Sequence, residues 1–391
     1  MNCLWVSGDV PYPPTYGKFV YSAGLTEALA AHSVDVVGVG LVPEDGGPVF
    51  ETGVAWHAVA AARRSRAASL PSPLPSMAFG TTVLRNAVVA QFARRRWDAV
   101  VVDHLETGWV VDVVPRPGPP IVYVAHNHET SVRADVARET TLGFGRRLAL
   151  RMESVKIERL ERKVLSRADL LVAITDTDAA RFARDAPSLS RLVLTPGYDG
   201  APAPARVIDA ATPRRVAIVT SLDWHVKQAN LEAFVAVADP ILAAAGVELV
   251  VAGHAPDGFV RRIEQSTRAT RMLGRVDALD VLLAGTRMGI VAEPLGGGFK
   301  LKVLDYVYNR VPIASVAGSI EGMPFRDGTD HLVFPDAAAL ARGVVDVIDD
   351  DECLNGLQRR AFDQCGGAYT WAERGRRLAD SLAALRPRPR E

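Results

Sequence analysis

The sequence predicts an α/β chain of two doubly wound domains, each a parallel sheet covered by helices on both faces. Three observations carry this prediction. Short apolar, β-branched runs alternate with helix-period stretches along the chain, the pattern of strand–helix–strand units. The alternation breaks once, over residues 197–213 (GYDGAPAPARVIDAATP), where three prolines and two glycines leave no periodicity. The length, 391 residues, suits two domains better than one.

In the first half, Leu4–Ser7, Val34–Gly40, Ala99–Asp103, Ile121–Ala125, Leu170–Thr175 and Leu192–Thr195 read as buried parallel strands. Helical patterns lie between them over Phe19–Ala30, Val83–Arg96 and Arg146–Ala168. In the last of these, Leu148, Met152, Val155, Leu160, Val164 and Ala168 recur at steps of three to five, which predicts an apolar stripe. Between Arg146 and Arg167 stand eight basic and three acidic residues. A basic amphipathic helix can lie on an anionic membrane, but the intermixed signs here favour a solvated outer face over peripheral membrane contact.

After the break, Val216–Thr220, Val247–Ala252, Met288–Ala292, Pro312–Ser315 and His331–Phe334 read as strands, with helices over Asn230–Ala245 and Lys300–Asn309. The expected organisation is a first domain over 1–197, a linker over 198–213 and a second domain over 214–370. Residues 371–391 form a last helix and polar tail (RPRPRE), placed to pack back on the first domain. Two such domains imply a cleft between them, where ligands bind.

Composition excludes several function classes. Lys+Arg and Asp+Glu both number 45, which gives no electrostatic reason to expect nucleic acid as partner. Cys3, Cys353 and Cys365 have neither disulfide-framework nor zinc-ligand spacing, which fits a reducing cytoplasm. No apolar run approaches the roughly 18 to 20 residues of a membrane span, and no secretory leader pattern opens the chain. Abundant Ala, Arg, Val and Asp point to a GC-rich bacterial genome.

Four segments can carry chemistry. Pro11-Tyr12-Pro13-Pro14-Thr15-Tyr16-Gly17-Lys18 follows the first strand; a turn ending in Gly at a helix start offers free amides to an anion, and Lys18 adds charge. It also reads as an ordinary strand-to-helix turn. His126-Asn127-His128-Glu129 ends the strand Ile121–Ala125, the position where catalytic groups gather in open α/β sheets. Metal binding is disfavoured because successive extended residues point opposite ways and no other His or Cys cluster assists; a capping role is the other alternative. Lys227, just before the helix Asn230–Ala245, is placed to reach phosphate or to be a solvated surface lysine.

The fourth segment runs from Glu293 through Gly296-Gly297-Gly298-Phe299-Lys300-Leu301-Lys302 to Asp305. A strand entering three glycines and then a helix lets the backbone approach a diphosphate and aim amides at it without a metal. Lys300 and Lys302 fall in the first turn, where the helix dipole disfavours cations, so a structural role explains them poorly. Asp305 is placed to accept hydrogen bonds from a ribose. A plain glycine turn is the competing explanation.

In their order these segments resemble those of family 4 retaining glycosyltransferases of the GT-B fold, two facing Rossmann-like domains. The similar subgroup carries Pro-x-Pro-Pro…Gly-Gly, His-Asn-x-Glu and Gly-x-Gly-x-Lys-x-Lys-x-Leu-Glu, matched here by Pro11–Lys18, His126–Glu129 and Gly296–Asp305. Gly318–Gly322 and Asp327-Gly328 also resemble that subgroup's run after the donor-binding helix.

The resemblance implies sugar transfer from a nucleotide sugar (UDP-, GDP- or dTDP-linked) to a small-molecule, lipid-linked or glycan acceptor, retaining and with no metal or cofactor. Donor-binding residues would be Gly17, Lys18, Lys227, Gly297, Gly298, Phe299, Lys300, Leu301, Lys302 and Asp305. His126 and Lys227 would serve catalysis, with His128 and Glu129 on the acceptor side. Three departures stand out: Gly297 and Asp305 replace a glutamate pair, Lys18 replaces the second glycine of a Gly-Gly turn, and Leu222 replaces an arginine. The competing functions are a non-hydrolysing sugar-nucleotide epimerase, for which the glycine-rich loop lacks carboxylates, and a non-catalytic sugar-nucleotide binder.

Overall fold

The structure is a computed structural model that describes residues 1–15, 17–43, 52–60, 79–139, 144–223, 225–293 and 298–385, with side chains left aside at 135–139 and 144–147. The chain divides into two compact units, one of Met1–Gly197 with Thr370–Glu391 and one of Tyr198–Tyr369.

In the first unit, seven strands form an all-parallel sheet: β1 (Asn2–Asp9), β2 (Asp35–Val42), β3 (Ala55–Ala60), β4 (Ala99–Asp103), β5 (Ile121–Ala125), β6 (Leu170–Ala173) and β7 (Ser190–Val193). Their order is β3-β2-β1-β4-β5-β6-β7. Strands β4 and β5 are buried at every residue, as apolar runs covered by helices on both faces must be. The edge strand β3 was not expected from the sequence; most of its residues are exposed, so it lacks a continuous apolar run. Because the chain builds β1 to β3 in one direction and β4 to β7 in the other, the winding reverses between β1 and β4. The carboxyl ends of strands flanking such a reversal form a ligand crevice.

Helices α1 (Gly17–Ala30), α2 (Thr82–Arg94), α3 (Glu129–Glu139), α4 (Phe144–Arg167) and α5 (Asp176–Asp185) connect these strands, with a short 3-10 helix at Leu105–Asp112. On α4, Ile157, Glu161, Val164, Leu165 and Ala168 are buried. Leu148, Met152 and Val155 are instead 51%, 57% and 43% exposed. The expected single stripe is therefore two: at 3.6 residues per turn Leu148 and Val164 lie roughly 160° apart around the axis.

The second unit begins at Tyr198, and residues 198–213, which composition marks as a linker, are tied to it throughout. Tyr198 stacks on Tyr308, the Ala203 amide donates to Tyr308 O at 2.7 Å, and Arg206 donates to Leu283 O and Thr286 O at 2.6 Å each. Ile208 is fully buried in its core.

Its parallel sheet contains β8 (Arg215–Val219), β9 (Glu248–Ala252), β10 (Thr270–Gly274), β11 (Met288–Val291), β12 (Ile313–Val316) and β13 (Leu332–Phe334), in the order β10-β9-β8-β11-β12-β13. Here the reversal falls between β8 and β11. Helices α6 (His225–Ala244), α7 (Asp257–Ser266), α8 (Leu279–Ala284), α9 (Lys302–Tyr308), α10 (Ala337–Val347) and α11 (Asp351–Cys365) cover the sheet. The last helix, α12 (Trp371–Ala384), belongs to the first unit: Arg374 Nε donates to Thr195 O at 3.0 Å and His32 Nε2 lies 2.8 Å from Ala372 O. No described helix is long and apolar enough to cross a membrane.

Candidate functional site

Each unit holds a cluster of buried polar groups at its own point of reversal. In the first unit they stand at the ends of β1, β4 and β5. Asp103, the last residue of β4, is fully buried and accepts hydrogen bonds from His126 Nε2 (2.8 Å) and Trp5 Nε1 (3.0 Å). Burial alone would push its carboxyl up, but the bond and charge of His126 outweigh that and hold it at about 2. Burial lowers the pKa of His126, and Asp103 opposes the shift only in part. The imidazole is oriented through Nε2 by a buried carboxylate, which leaves Nδ1 as the basic atom of its neutral form.

Beside it stands His104, 5.1 Å away between ring centroids, with φ 68° and ψ 153°. That backbone region is costly for a residue with a side chain and occurs chiefly where function holds it. His104 Nε2 lies 3.5 Å from Glu129 Oε1, and Nδ1 lies 3.7 Å from Glu106 Oε2. Burial disfavours its protonation, yet the two carboxylates prevail and raise its pKa. Burial likewise pushes Glu129 up, but the bond and charge of His104 bring it down to about 2. Lys18, at the start of α1, is ion-paired with Glu106.

Of the residues singled out in the sequence, the structure therefore brings His126, Glu129 and Lys18 together, with Gly17 preceding Lys18 at the first turn of α1. His128 faces elsewhere: its Nε2 donates to Asp185 Oδ2 at 2.9 Å, and its Nδ1 lies 2.7 Å from Ser131 Oγ. Glu161 of α4 receives the Glu129 and Thr130 amides at 3.0 Å each, fixing the start of α3. Asp103, His104, Glu106 and Glu161 were missed by sequence reasoning. Asp103-His104 was findable by the strand-end rule that picks out His126.

In the second unit the cluster lies at the ends of β8 and β11. Helix α9 is locked beneath it by Tyr306, whose hydroxyl donates to Ala217 O at 3.1 Å and accepts from the Val219 amide at 3.0 Å. This anchors the first turn of α9 beside the two strand ends. Gly298 takes φ +78°, a left-handed conformation natural to glycine, and Leu301 at the helix start carries no side-chain cap.

Lys302 donates to Glu293 Oε1 at 2.7 Å, and Thr220 Oγ1 reaches the same oxygen at 3.4 Å. The charges of Lys300 and Lys227 act on Glu293 as well, so three ammonium groups bear on one carboxylate. Burial pushes Lys300 down to about 8 and also lowers Lys227. Burial tends to raise the Glu293 pKa, but Lys302 and Lys300 lead the charges that hold it below the usual range. Asp305, on the next turn, is pushed up to about 6 by burial despite the charge of Lys302.

Phe299 packs with the core under this loop, its ring centroid 6.2 Å from that of Tyr369. Gly296 and Gly297 lie outside the described residues. Leu222, at the place of the missing arginine, is fully buried in the core. Among the described residues no group of three or more His, Cys, Asp or Glu side chains is arranged to hold a metal ion.

Residues 19–197 match the family model described as a glycosyl transferase 4-like domain. No curated protein matches the sequence. The solved sucrose-phosphate synthase of Thermosynechococcus elongatus is similar in fold, with a TM-score of 0.73 at 15% identity over 98% of each chain. Anabaena HepE, solved with UDP and glucose, gives 0.68 at 13% identity over 98% of this chain and 100% of that one. WaaG, a glycosyltransferase involved in lipopolysaccharide biosynthesis, gives 0.68 at 14% identity over 98% and 100%. The chain has the GT-B fold of two Rossmann-like units that these solved structures share, and the match to the glycosyl transferase 4-like model falls within its first unit.

Proposed function

We propose that the protein transfers a sugar from a nucleoside-diphosphate donor bound by the second unit, with retention and without a metal, to an acceptor handled by the first. The observation that carries this reading is the set of three lysines around one buried carboxylate. The charges of Lys227, Lys300 and Lys302 all bear on Glu293, and Lys302 is ion-paired with it, next to a helix start without a side-chain cap. Burial already presses on Lys227 and Lys300, and an arriving diphosphate relieves that strain.

As the bond between sugar and diphosphate breaks, negative charge grows on the leaving phosphate. Fixed ammonium groups and backbone amides over Gly298–Lys302 stabilise it without reorganising. Asp305 accepts from the ribose. In the first unit, His126, oriented by Asp103, serves the reacting sugar, while Glu129 and His104 offer polar groups to the acceptor. The natural donors of UDP-, GDP- and dTDP-sugars supply the test. Incubation with each and a panel of acceptors should release free nucleoside diphosphate. Conversion to an epimer with the nucleotide still attached, or tight binding with neither product, overturns the proposal.

A further inference from the structure

Tyr21, early in α1, touches both the buried histidine of the first unit and the segments by which the chain leaves and re-enters that unit. It is 1% exposed, and its ring meets that of His126 edge-on, 5.2 Å between centroids at 80°. Its hydroxyl donates to Leu194 O at 2.9 Å. Burial, with the charge of Asp103, pushes the phenol's pKa up, so it stays a donor.

His126 is thereby held by Asp103 at Nε2 and by the rings of His104 and Tyr21, both edge-on. The titratable and charged groups that face it are Asp103 and His104 at the end of β4, with Lys18 and Tyr21 on α1. The bond to Asp103 fixes one ring atom, and the two edge-on rings fix the plane.

Tyr21 is itself fixed by the crossing segments. The chain leaves the first unit after Gly197 and returns to it at Thr370. Trp371, the first residue of α12, packs on Tyr21 with ring centroids 6.1 Å apart. Gly24 and Gly197 make room for the indole, since a Cβ on either would run into it. Among the described residues the indole N–H has no hydrogen-bond partner, so packing seats it. On the exit side, Leu194 is tied by the Tyr21 hydroxyl and Thr195 by Arg374 of α12, whose Nε donates to Thr195 O at 3.0 Å. Exit and return segments are thus both fastened to one buried side chain.

We propose that Tyr21 is a positioning residue that sets the plane of the His126 ring against Asp103, and that Trp371 sets Tyr21 in turn. The histidine's orientation then depends on how the exit and return segments are seated, and its neutral ring keeps the proton on Nε2 with Nδ1 in one direction. If these aromatics served only to hold α12 on α1, the histidine ring would not respond to them. The effect on turnover rests on the transfer reading; the effect on the ring rests on the contacts alone.

Ring-nitrogen NMR of the full chain labelled in histidine, at a pH where imidazole is neutral, tests this, with His126→Gln assigning the signals. Wild type should show a proton on Nε2 of His126 and a bare Nδ1. Trp371→Leu should mix the two tautomers, and Trp371→Phe, which keeps a ring at that place, should restore the wild-type pattern. Tyr21→Leu should mix them further than Tyr21→Phe, which keeps the ring and loses the bond to Leu194 O. Turnover should fall on the order of tenfold in Trp371→Leu, in kcat rather than KM, and recover in Trp371→Phe. Unchanged His128 signals and an unchanged UDP titration will show that the first and second units remain folded. A single Nε2–H tautomer in every variant, or a wild type that carries the proton on Nδ1, overturns the proposal, as does Trp371→Phe behaving like Trp371→Leu. Tautomers that shift as expected while wild type releases no nucleotide uphold the positioning and reject the transfer reading instead.

Discussion

Lys300 should make diphosphate binding pH-dependent in a range where few other groups titrate. Burial holds its pKa at about 8 in the free protein. A bound diphosphate favours the ammonium form and restores a higher value, so affinity is full below pH 8 and falls as pH rises through it. With a pKa of about 8, roughly nine in ten molecules carry the charge at pH 7 and about one in four at pH 8.5. Affinity for UDP should therefore drop about fourfold between those pH values, ~0.8 kcal/mol. Phosphate itself titrates near pH 6 and is about nine-tenths or more in its fully charged form throughout, a change too small and of the wrong sign to mimic the drop.

Calorimetric titration at both pH values measures this directly, with uridine as the control for any titration of the base. At pH 8.5, binding in buffers of different ionisation enthalpy should show uptake of about three quarters of a proton. Lys300→Arg, whose guanidinium stays charged, should flatten the profile while still binding. A pH-independent UDP affinity in wild type, or an unchanged slope in Lys300→Arg, refutes the reasoning.

Three further outcomes follow from the two clusters. His126→Ala should lower turnover at least tenfold while leaving nucleotide affinity nearly unchanged, because the partners of His126 among the described residues, Asp103, Tyr21 and His104, belong to the first unit; a tenfold loss of affinity (~1.4 kcal/mol) with turnover intact contradicts this. Asp103, held at about 2 against an ordinary 3.8, contributes ~2 kcal/mol of stability that is present above pH 4 and lost as pH falls towards 2. Asp103→Asn should therefore unfold at lower urea at pH 7 and show a shallower acid dependence, whereas a midpoint equal to wild type at pH 7 contradicts the assignment. Turnover should persist in EDTA, since Lys227, Lys300 and Lys302 supply the charge; complete loss restored by manganese or magnesium rejects that role.

Buried strands were the legible part of the fold. β4, β5, β6 and β11 stand out in the sequence because helices cover both faces and every residue but Asp103, at the end of β4, is apolar or small. β3 and β10 did not, because an edge strand needs burial on only part of its surface: β10 alternates buried or half-buried with exposed residues. The stripe on α4 misled for a related reason. Steps of three to five keep residues on one face only if the drift averages out, and from Leu148 to Val164 it does not.

At the sites, residues adjacent to a strand end or glycine run were visible: His126, Lys227, Lys300, Lys302. Their partners were not, since pairing needs the fold. Glu106 meets Lys18 from 88 positions away, and Asp103 meets His126 from 23. Glu293 was in view as the start of the glycine-rich segment. Its role emerges only once α9 folds back and sets Lys302 against it.

Donor binding by the second unit requires the loop Gly298–Lys302 to hold the diphosphate, and one titration tests that directly. UDP and uridine, with the GDP and dTDP pairs in parallel, are titrated into wild type, Lys302→Ala and Asp305→Asn. Removing Lys302 should weaken diphosphate binding by at least tenfold, ~1.4 kcal/mol, within the range of a desolvated charge-assisted bond, and leave nucleoside binding unchanged. Asp305→Asn should weaken nucleoside and diphosphate alike. Equal losses for nucleoside and diphosphate in both variants, or no loss in either, would show that the donor is held elsewhere.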